Sequence, residues 1–345
     1  MMISRAGLLR GALASTALLP AAAMAGTDPM AAQAFRSDAM EGAAHPWTGV
    51  PRLGGGPLRF AVIGDHTGIG RPGVFDQAMV QLSWLQPDFV LSVGDLIEGY
   101  TTDRAKIARQ WSAVETSIAK LNCPFVYTMG NHDVDNAETL DAWRERRGAA
   151  YYSFTYKGAL FLILNTEDPP TPMSDKTAAQ FYSMVDMMQS DPDKAEKTID
   201  AYVASNTTGQ KGEYSKLEVV KFSDRQLGWV RDTLASHPNP QWTFVVLHKP
   251  AWKMQSPDFA KVQAMLAGRP HTVLAGHTHY FTHEVFDGAD YINMGTTGGI
   301  RQQNGPGTMD HTMIVTLTQN GPLYANTRFT GLMNVAGETG QVRAY

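Results

Sequence analysis

Phe125-Val126-Tyr127-Thr128-Met129-Gly130-Asn131-His132-Asp133 decides the fold. The five residues between Pro124 and Gly130 form a short, mainly apolar run bounded by turn residues, the pattern of a buried strand. At its end stand a neutral oxygen donor, an imidazole and a carboxylate. Open α/β sheets place their ligands in loops at the carboxyl ends of strands. Four further stretches repeat this layout. Leu58 to Gly64 runs into Asp65-His66-Thr67, and Phe89 to Val93 runs into Gly94-Asp95-Leu96-Ile97-Glu98. Thr243 to Leu247 runs into His248-Lys249-Pro250, and Thr272 to Ala275 into Gly276-His277-Thr278-His279. Packing does not call for Asp, Asn or His at every strand end, whereas a single metal site does.

Outward from this stretch, helices alternate with the strands. Phe75, Met79, Leu82 and Leu85 recur at helical spacing after Pro72, and Ile107, Trp111, Val114 and Ile118 do the same. A helix follows across Glu138 to Arg147. This βαβαβα order predicts a parallel sheet covered by helices. Tyr151 to Tyr156 and Ala159 to Asn165 read as a hairpin around Lys157-Gly158. Residues 168–222 then break the pattern with prolines, methionines and polar residues, and are expected to form an inserted, mostly helical cap. The core resumes with a helix around Gln226 to Val230, a strand at 242–247, a helix near 258–267 and a strand at 272–275. Antiparallel strands follow at Tyr280 to Phe286, Tyr291 to Met294, Thr312 to Thr318 and Leu323 to Arg328, the last two joined at Asn320-Gly321. The expected class is α/β, with two packed mixed sheets and helices outside. The core domain is placed at 58–330 and a tail at 331–345.

The N-terminus reads as an export signal over residues 1–25. Arg5 and Arg10 give a positive start, Gly11 to Leu19 is mostly apolar, and Ala23-Met24-Ala25 is a small-x-small cleavage pattern. Residues 26–57, rich in Gly, Ala and Pro, read as a linker or an arm lying on the domain. The expectation is an exported protein, periplasmic or secreted, with no membrane span after cleavage. Cys123 is the single cysteine of the 345 residues, so an internal disulfide and a thiolate zinc site are excluded. The net charge of -4 argues against a nucleic-acid binder that relies on a basic surface.

Asp, Asn and His suit hard or borderline divalent metals. Two such ions about 3.5–4 Å apart can clamp an in-line displacement at phosphorus. The ordered set Asp65, Gly94-Asp95, Gly130-Asn131-His132-Asp133, His248 and Gly276-His277-Thr278-His279 resembles the calcineurin-like metallophosphoesterase superfamily. Leu164-Asn165-Thr166 and Gln226 to Leu234 add to the likeness. The resemblance implies a four-layer α/β/β/α sandwich and a metal-dependent hydrolase of a small phosphate mono- or diester, which the N-terminal signal would make an exported one. Attack would be by a metal-bound hydroxide. It implies two divalent ions, with Mn, Fe, Zn and Mg not distinguished. Asp95 would bridge them; Asn131, His248 and His277 would complete one, and Asp65 and His279 the other, called here the first ion. His132 would meet the leaving group. The family commonly shows Asp-x-His where this chain has Asp65-His66-Thr67, so the first ion is expected to have fewer protein donors and weaker binding. His66 and Thr67 are candidates for additional metal or substrate contact. Lys249 and Arg301 are candidate substrate contacts, with a solvated charge the simpler expectation for each. Glu98 and Asp133 are expected to orient loops or ligands rather than bind metal. The rival reading is a metal-stabilised binding protein that keeps the fold without turnover, motivated by Thr67.

Overall fold

In the computed structural model, residues 33–205, 218–336 and 338–340 are described. The expected export signal lies outside them, as do 26–32 of the arm, 206–217 of the insertion, and 337 and 341–345 of the tail. Two mixed sheets pack face to face. One has the order β12-β11-β2-β3-β4, with β2 Arg59–Ile63, β3 Val90–Ser92, β4 Phe125–Val126, β11 His311–Thr318 and β12 Gly321–Arg328. The other has the order β1-β5-β6-β7-β8-β10-β9. Its strands are β1 Arg36–Ser37, β5 Tyr152–Tyr156, β6 Ala159–Ile163, β7 Trp242–Val246, β8 His271–Ala275, β9 Thr282–Phe286 and β10 Ala289–Asn293.

The two-residue period of a strand explains the layering. In β2, Phe60 and Val62 face the inter-sheet core, where they meet Phe161 and Phe244. Ala61 and Ile63 face the other way, toward helices α1 (Val74–Leu85), α2 (Arg104–Ile118) and α3 (Ala137–Arg147). β6 does the same: Phe161 and Ile163 point inward, while Leu160 and Leu162 pack under α6 (Asp224–Ser236) and α7 (Pro257–Leu266). The central strands of each sheet are therefore buried on both faces and read as near-continuous apolar runs, whereas the edge strands β9 and β12 are partly exposed. Phe161 stacks on Phe154 at 4.4 Å and on Phe244 at 5.0 Å. Truncating it to Ala would cost roughly 3–5 kcal/mol through lost burial and the cavity left behind.

Caps fix where helices begin. Asp103 accepts from the backbone N–H groups of Ala105 and Lys106, and Asn136 makes a capping box with Thr139. One detail differs from the sequence reading. Gly321 pairs with Thr318 in the ladder, so the turn residues are Gln319 and Asn320. The described part of the N-terminal arm is tied to the domain: β1 pairs with β5, and Phe35 and Trp47 join the inter-sheet core. No helix among the described residues is long and apolar enough to cross a membrane.

The insertion contributes α4 (Asp175–Ser190) and α5 (Pro192–Ser205). Phe181, Val185, Met188, Ala195 and Ile199 form a separate apolar cluster with Ile69 and Tyr100 of the core loops. Its two ends are stitched side by side, with Glu167 bridged to Lys221 and Lys221 N–H donating to Thr166 O at 3.0 Å. Strands β2, β3 and β4 are mutually parallel, as are β6, β7, β8 and β10. Their carboxyl ends deliver the polar residues to one place.

Candidate metal centre

Asp65, Asp95, Asn131, His248 and His279 are buried, and His277 and His132 nearly so. The loops close tightly enough to demand glycine. A Cβ on Gly130 would sit 2.2 Å from Asp95 Oδ1, and one on Gly276 would sit 2.3 Å from Asp65 Oδ1. Asp95, His277 and His279 themselves adopt left-handed backbone, at φ 55, 71 and 50. Such geometry costs about 1–3 kcal/mol per residue and persists where the surroundings enforce it, as they commonly do at functional sites.

Each imidazole has one nitrogen fixed by an acceptor and the other turned inward. His248 Nδ1 lies 2.9 Å from Val93 O, which leaves Nε2 facing Asp95 Oδ2 at 3.1 Å and Asn131 Oδ1 at 3.0 Å. His279 Nδ1 lies 2.5 Å from Ile300 O, and its Nε2 is 3.2 Å from Asp65 Oδ2. His132 Nδ1 lies 2.9 Å from Glu98 O, with Nε2 3.9 Å from Asp95 Oδ2. His277 is oriented the opposite way: Nδ1 is 3.2 Å from His248 Nε2, and Nε2 is 3.0 Å from Glu218 Oε2. Acceptors behind the imidazoles are the usual way a protein fixes metal-ligating rings.

The donors fit divalent cations. Asp95, His248 and His277 present ligand atoms all within 4.8 Å of one another. Donors on one ion at about 2.1 Å and at right angles lie about 3.0 Å apart. The 3.0–3.2 Å separations among Asp95, Asn131, His248 and His277 are of that size. Electrostatics agree. Burial pushes the Asp95 carboxyl up, but the charges of His248 and His132 outweigh it and hold the group well below the usual range. Burial opposes protonation of His248, yet Asp95, Asp65 and Glu167 raise it to about 9. His279 is likewise raised against burial by the charge and hydrogen bond of Asp65. The carboxylates thus draw positive charge onto their neighbours, and a divalent ion would take the place of those protons.

Asp133 accepts from the N–H groups of Gly130, Asp95, Leu96 and Ile97, and Glu98 accepts from those of Ile69 and Gly70. Both carboxylates hold loops in shape. Burial and the charge of Asp95 nevertheless push the Asp133 carboxyl up.

Four candidates fall elsewhere. The Thr67 hydroxyl donates to the carbonyls of Asp95 and Ile97, at 3.1 and 2.8 Å, which anchors it to loop backbone. His66 stacks on Phe75 at 4.2 Å, apart from the donor cluster; its Nδ1 is buried without a hydrogen-bond partner, and burial lowers its pKa to about 4. Lys249 is neither solvated nor facing the cluster. It is fully buried, with Nζ 2.7 Å from Glu167 Oε1 and 2.8 Å from Oε2. Arg301 is half exposed and paired with Asp310 at 2.9 Å, beside the buried Arg71–Asp310 pair. The structure also places residues here that no sequence motif singled out. Asn131 Nδ2 donates to the buried Tyr100 hydroxyl at 2.6 Å, which leaves its Oδ1 to the site. Phe181 of α4 lies 5.4 Å from the His132 ring and 5.5 Å from that of Tyr100, and the Tyr182 hydroxyl donates to Gly99 O at 2.5 Å.

The model of the family described as calcineurin-like phosphoesterase matches residues 58–281. The chain belongs to that family. Among curated proteins, it is 34% identical over 87 residues to serine/threonine-protein phosphatase CPPED1 of Rattus norvegicus, covering 24% of this chain and 28% of that one. The human CPPED1 is 34% identical over 91 residues, covering 24% and 27%. The match thus spans about a quarter of the length of these relatives. Among solved structures, a dimetal phosphatase from Danio rerio is similar at 14% identity and a TM-score of 0.49, over 79% of this chain and 99% of that one. The purple acid phosphatase PPD1 of yellow lupin is similar at 14% identity and a TM-score of 0.47, over 81% and 53%.

Proposed function

We propose that this chain is an exported phosphoesterase that uses two divalent ions to hydrolyse a small phosphate mono- or diester. The observation that carries the reading is the convergence of Asp95, Asn131, His248 and His277 beside an imidazole, His132, whose Nε2 faces the same carboxylate. Asp95, Asn131, His248 and His277 would hold one ion, and Asp65, Asp95 and His279 the other. When bound, the ions supply Lewis acidity and an acidified water. The chain's own residues supply orientation and a proton. Glu98 O accepts from His132 Nδ1 and aims Nε2 inward; from Nε2 a proton passes to the oxygen that leaves phosphorus. Tyr100 fixes the Asn131 amide. Phe181 and Tyr100 wall the His132 side with apolar surface, which excludes water and restricts bulky leaving groups.

The Thr67 hydroxyl, turned to backbone carbonyls, leaves the first ion with Asp65, Asp95 and His279. That observation favours weaker binding of the first ion and activity that rises with added metal. It also gives substance to a metal-stabilised binding protein as the second reading, although such a protein would have no task for the inward Nε2 of His132. Metal analysis of the purified protein, alongside mono- and diester substrates with added manganese, decides between them. Bound metal with phosphate release supports the enzyme; bound metal with no release from any ester refutes it. Export is tested by N-terminal sequencing of protein recovered from the cell exterior or periplasm, which should begin near Gly26.

A further inference from the structure

We infer that Glu218, at the exit of the insertion, is a positioning residue for the metal ligand His277, and that the insertion thereby sets the affinity of the second ion. The inference rests on the metal-site reading, though not on turnover. His277 differs from the other three site histidines. His248, His279 and His132 are each braced at Nδ1 by a backbone carbonyl of a core loop. His277 instead turns Nδ1 toward His248, and its outer nitrogen meets a side-chain carboxylate, Glu218 Oε2, at 3.0 Å. A carboxylate behind a ligating imidazole fixes its tautomer and raises the basicity of the inward nitrogen, and losing such a partner typically costs 10–100-fold in metal affinity.

Glu218 does not reach His277 by chance placement of a long side chain. The next residue, Val219, gives its carbonyl to Lys249 Nζ at 3.3 Å. Lys249 is buried and also holds both oxygens of Glu167 at the entry of the insertion. Lys249 directly follows His248 in the chain. One ammonium therefore grips both ends of the insertion next to one ligand, and the exit so held presents a carboxylate to another. The Glu218 side chain is 39% exposed, so its removal leaves no buried unpaired charge. The expected effect falls on the metal rather than on the fold.

The test is Mn2+ titration calorimetry on the metal-free full-length chain carrying His279→Ala, which disables the first ion and lets the second be read alone. Glu218→Ala should raise its Kd by about 10–100-fold. Glu218→Gln should raise it less, because the amide oxygen still accepts from His277 Nε2–H. In a His277→Ala background the same Glu218→Ala change should add nothing, as a double-mutant cycle requires of paired residues. A Kd in Glu218→Ala within about twofold of its parent, or an equal loss with His277 absent, overturns the inference. If the His279→Ala chain takes up no Mn2+, the metal reading falls and the inference with it. Uptake that is unaffected by Glu218→Ala defeats the inference alone.

Discussion

Replacing Lys249 by Met should destabilise the fold sharply, and a second substitution should restore it. The Lys249 side chain is fully buried and that of Glu167 is 2% exposed, with Nζ 2.7 Å from Oε1. Methionine fills much the same space but leaves the Glu167 carboxylate facing apolar surroundings, with Thr166 Oγ1 its remaining neutral partner at 3.1 Å. Breaking a buried pair from one side typically costs about 3–5 kcal/mol, because a charge is stranded without its counter-charge. Unfolding entropy for roughly 300 residues is about 0.6 kcal/mol per kelvin, so Tm should fall by about 5–8 °C. Glu167→Leu strands the ammonium instead and should cost a similar amount. The double variant strands nothing. It should recover most of the loss, since apolar replacement of a buried pair is often neutral or better. Calorimetry on metal-free protein keeps the adjacent ligand His248 out of the comparison. A Tm within about 2 °C of wild type for Lys249→Met, or a double variant as unstable as the two single losses combined, would refute the argument.

Three further outcomes are expected. His132→Ala should retain metal and lose about 10²–10⁴ in turnover, with a much smaller loss for a nitrophenolate leaving group that needs no proton; equal losses across leaving groups of different pKa exclude the proton-donor role. Phe181→Ala should open the wall beside His132 and raise kcat/KM for bulky relative to small esters by about tenfold or more; an unchanged ratio places the ring outside the access path. His311 is fully buried, and burial lowers its pKa from 6.5 to about 4. The unfolded chain therefore binds more protons than the folded one between these values, and stability falls by about 3 kcal/mol as pH drops from 6.5 to 4. His311→Gln should be less stable at pH 7 yet show a flatter loss over that window in urea titrations; an undiminished slope assigns the loss to other groups.

The core was legible because its signals are local. Apolar runs such as Phe125 to Met129 and helical periods such as Ile107 to Ile118 reflect burial of one face, which is written into neighbouring residues. The donor residues at the strand ends were legible because each follows its strand directly, and parallel topology brings such ends together. What stayed hidden depends on contacts far apart in the chain. Lys249 and Glu167 are 82 residues apart, and His277 and Glu218 are 59 apart. A lone Lys or Glu carries no mark of its partner, so a solvated charge was the natural expectation for Lys249. Thr67 sits where a metal ligand is usual, and only its bonds to the Asp95 and Ile97 carbonyls show that its hydroxyl serves the loop. Tyr100 lies five residues past Asp95 and belongs to no periodic pattern. Its role rests on one hydrogen bond to the Asn131 amide.

These hidden contacts divide the site in two. The residues proposed for the first ion are held by core backbone: Asp65 O accepts from Thr297 N–H and Gly299 N–H, and His279 Nδ1 meets Ile300 O. The residues proposed for the second ion are tied to the insertion as well as to the core. Asn131 is oriented by Tyr100, which packs against Phe181; His248 precedes the lysine that grips both ends of the insertion; His277 meets Glu218 at its exit. Asp95 touches both halves: its carboxylate lies 3.1 Å from His248 Nε2, and its carbonyl accepts from the N–H groups of His66 and Thr67, next to Asp65, at 3.0 and 3.1 Å. Loosening the 296–300 loop should therefore weaken the first ion, and loosening the insertion the second, with Asp95 transmitting each effect in part. The insertion also covers the imidazole that would meet the leaving group. A substrate that moves α4 would then change access and second-ion affinity together, because both depend on the same packed element.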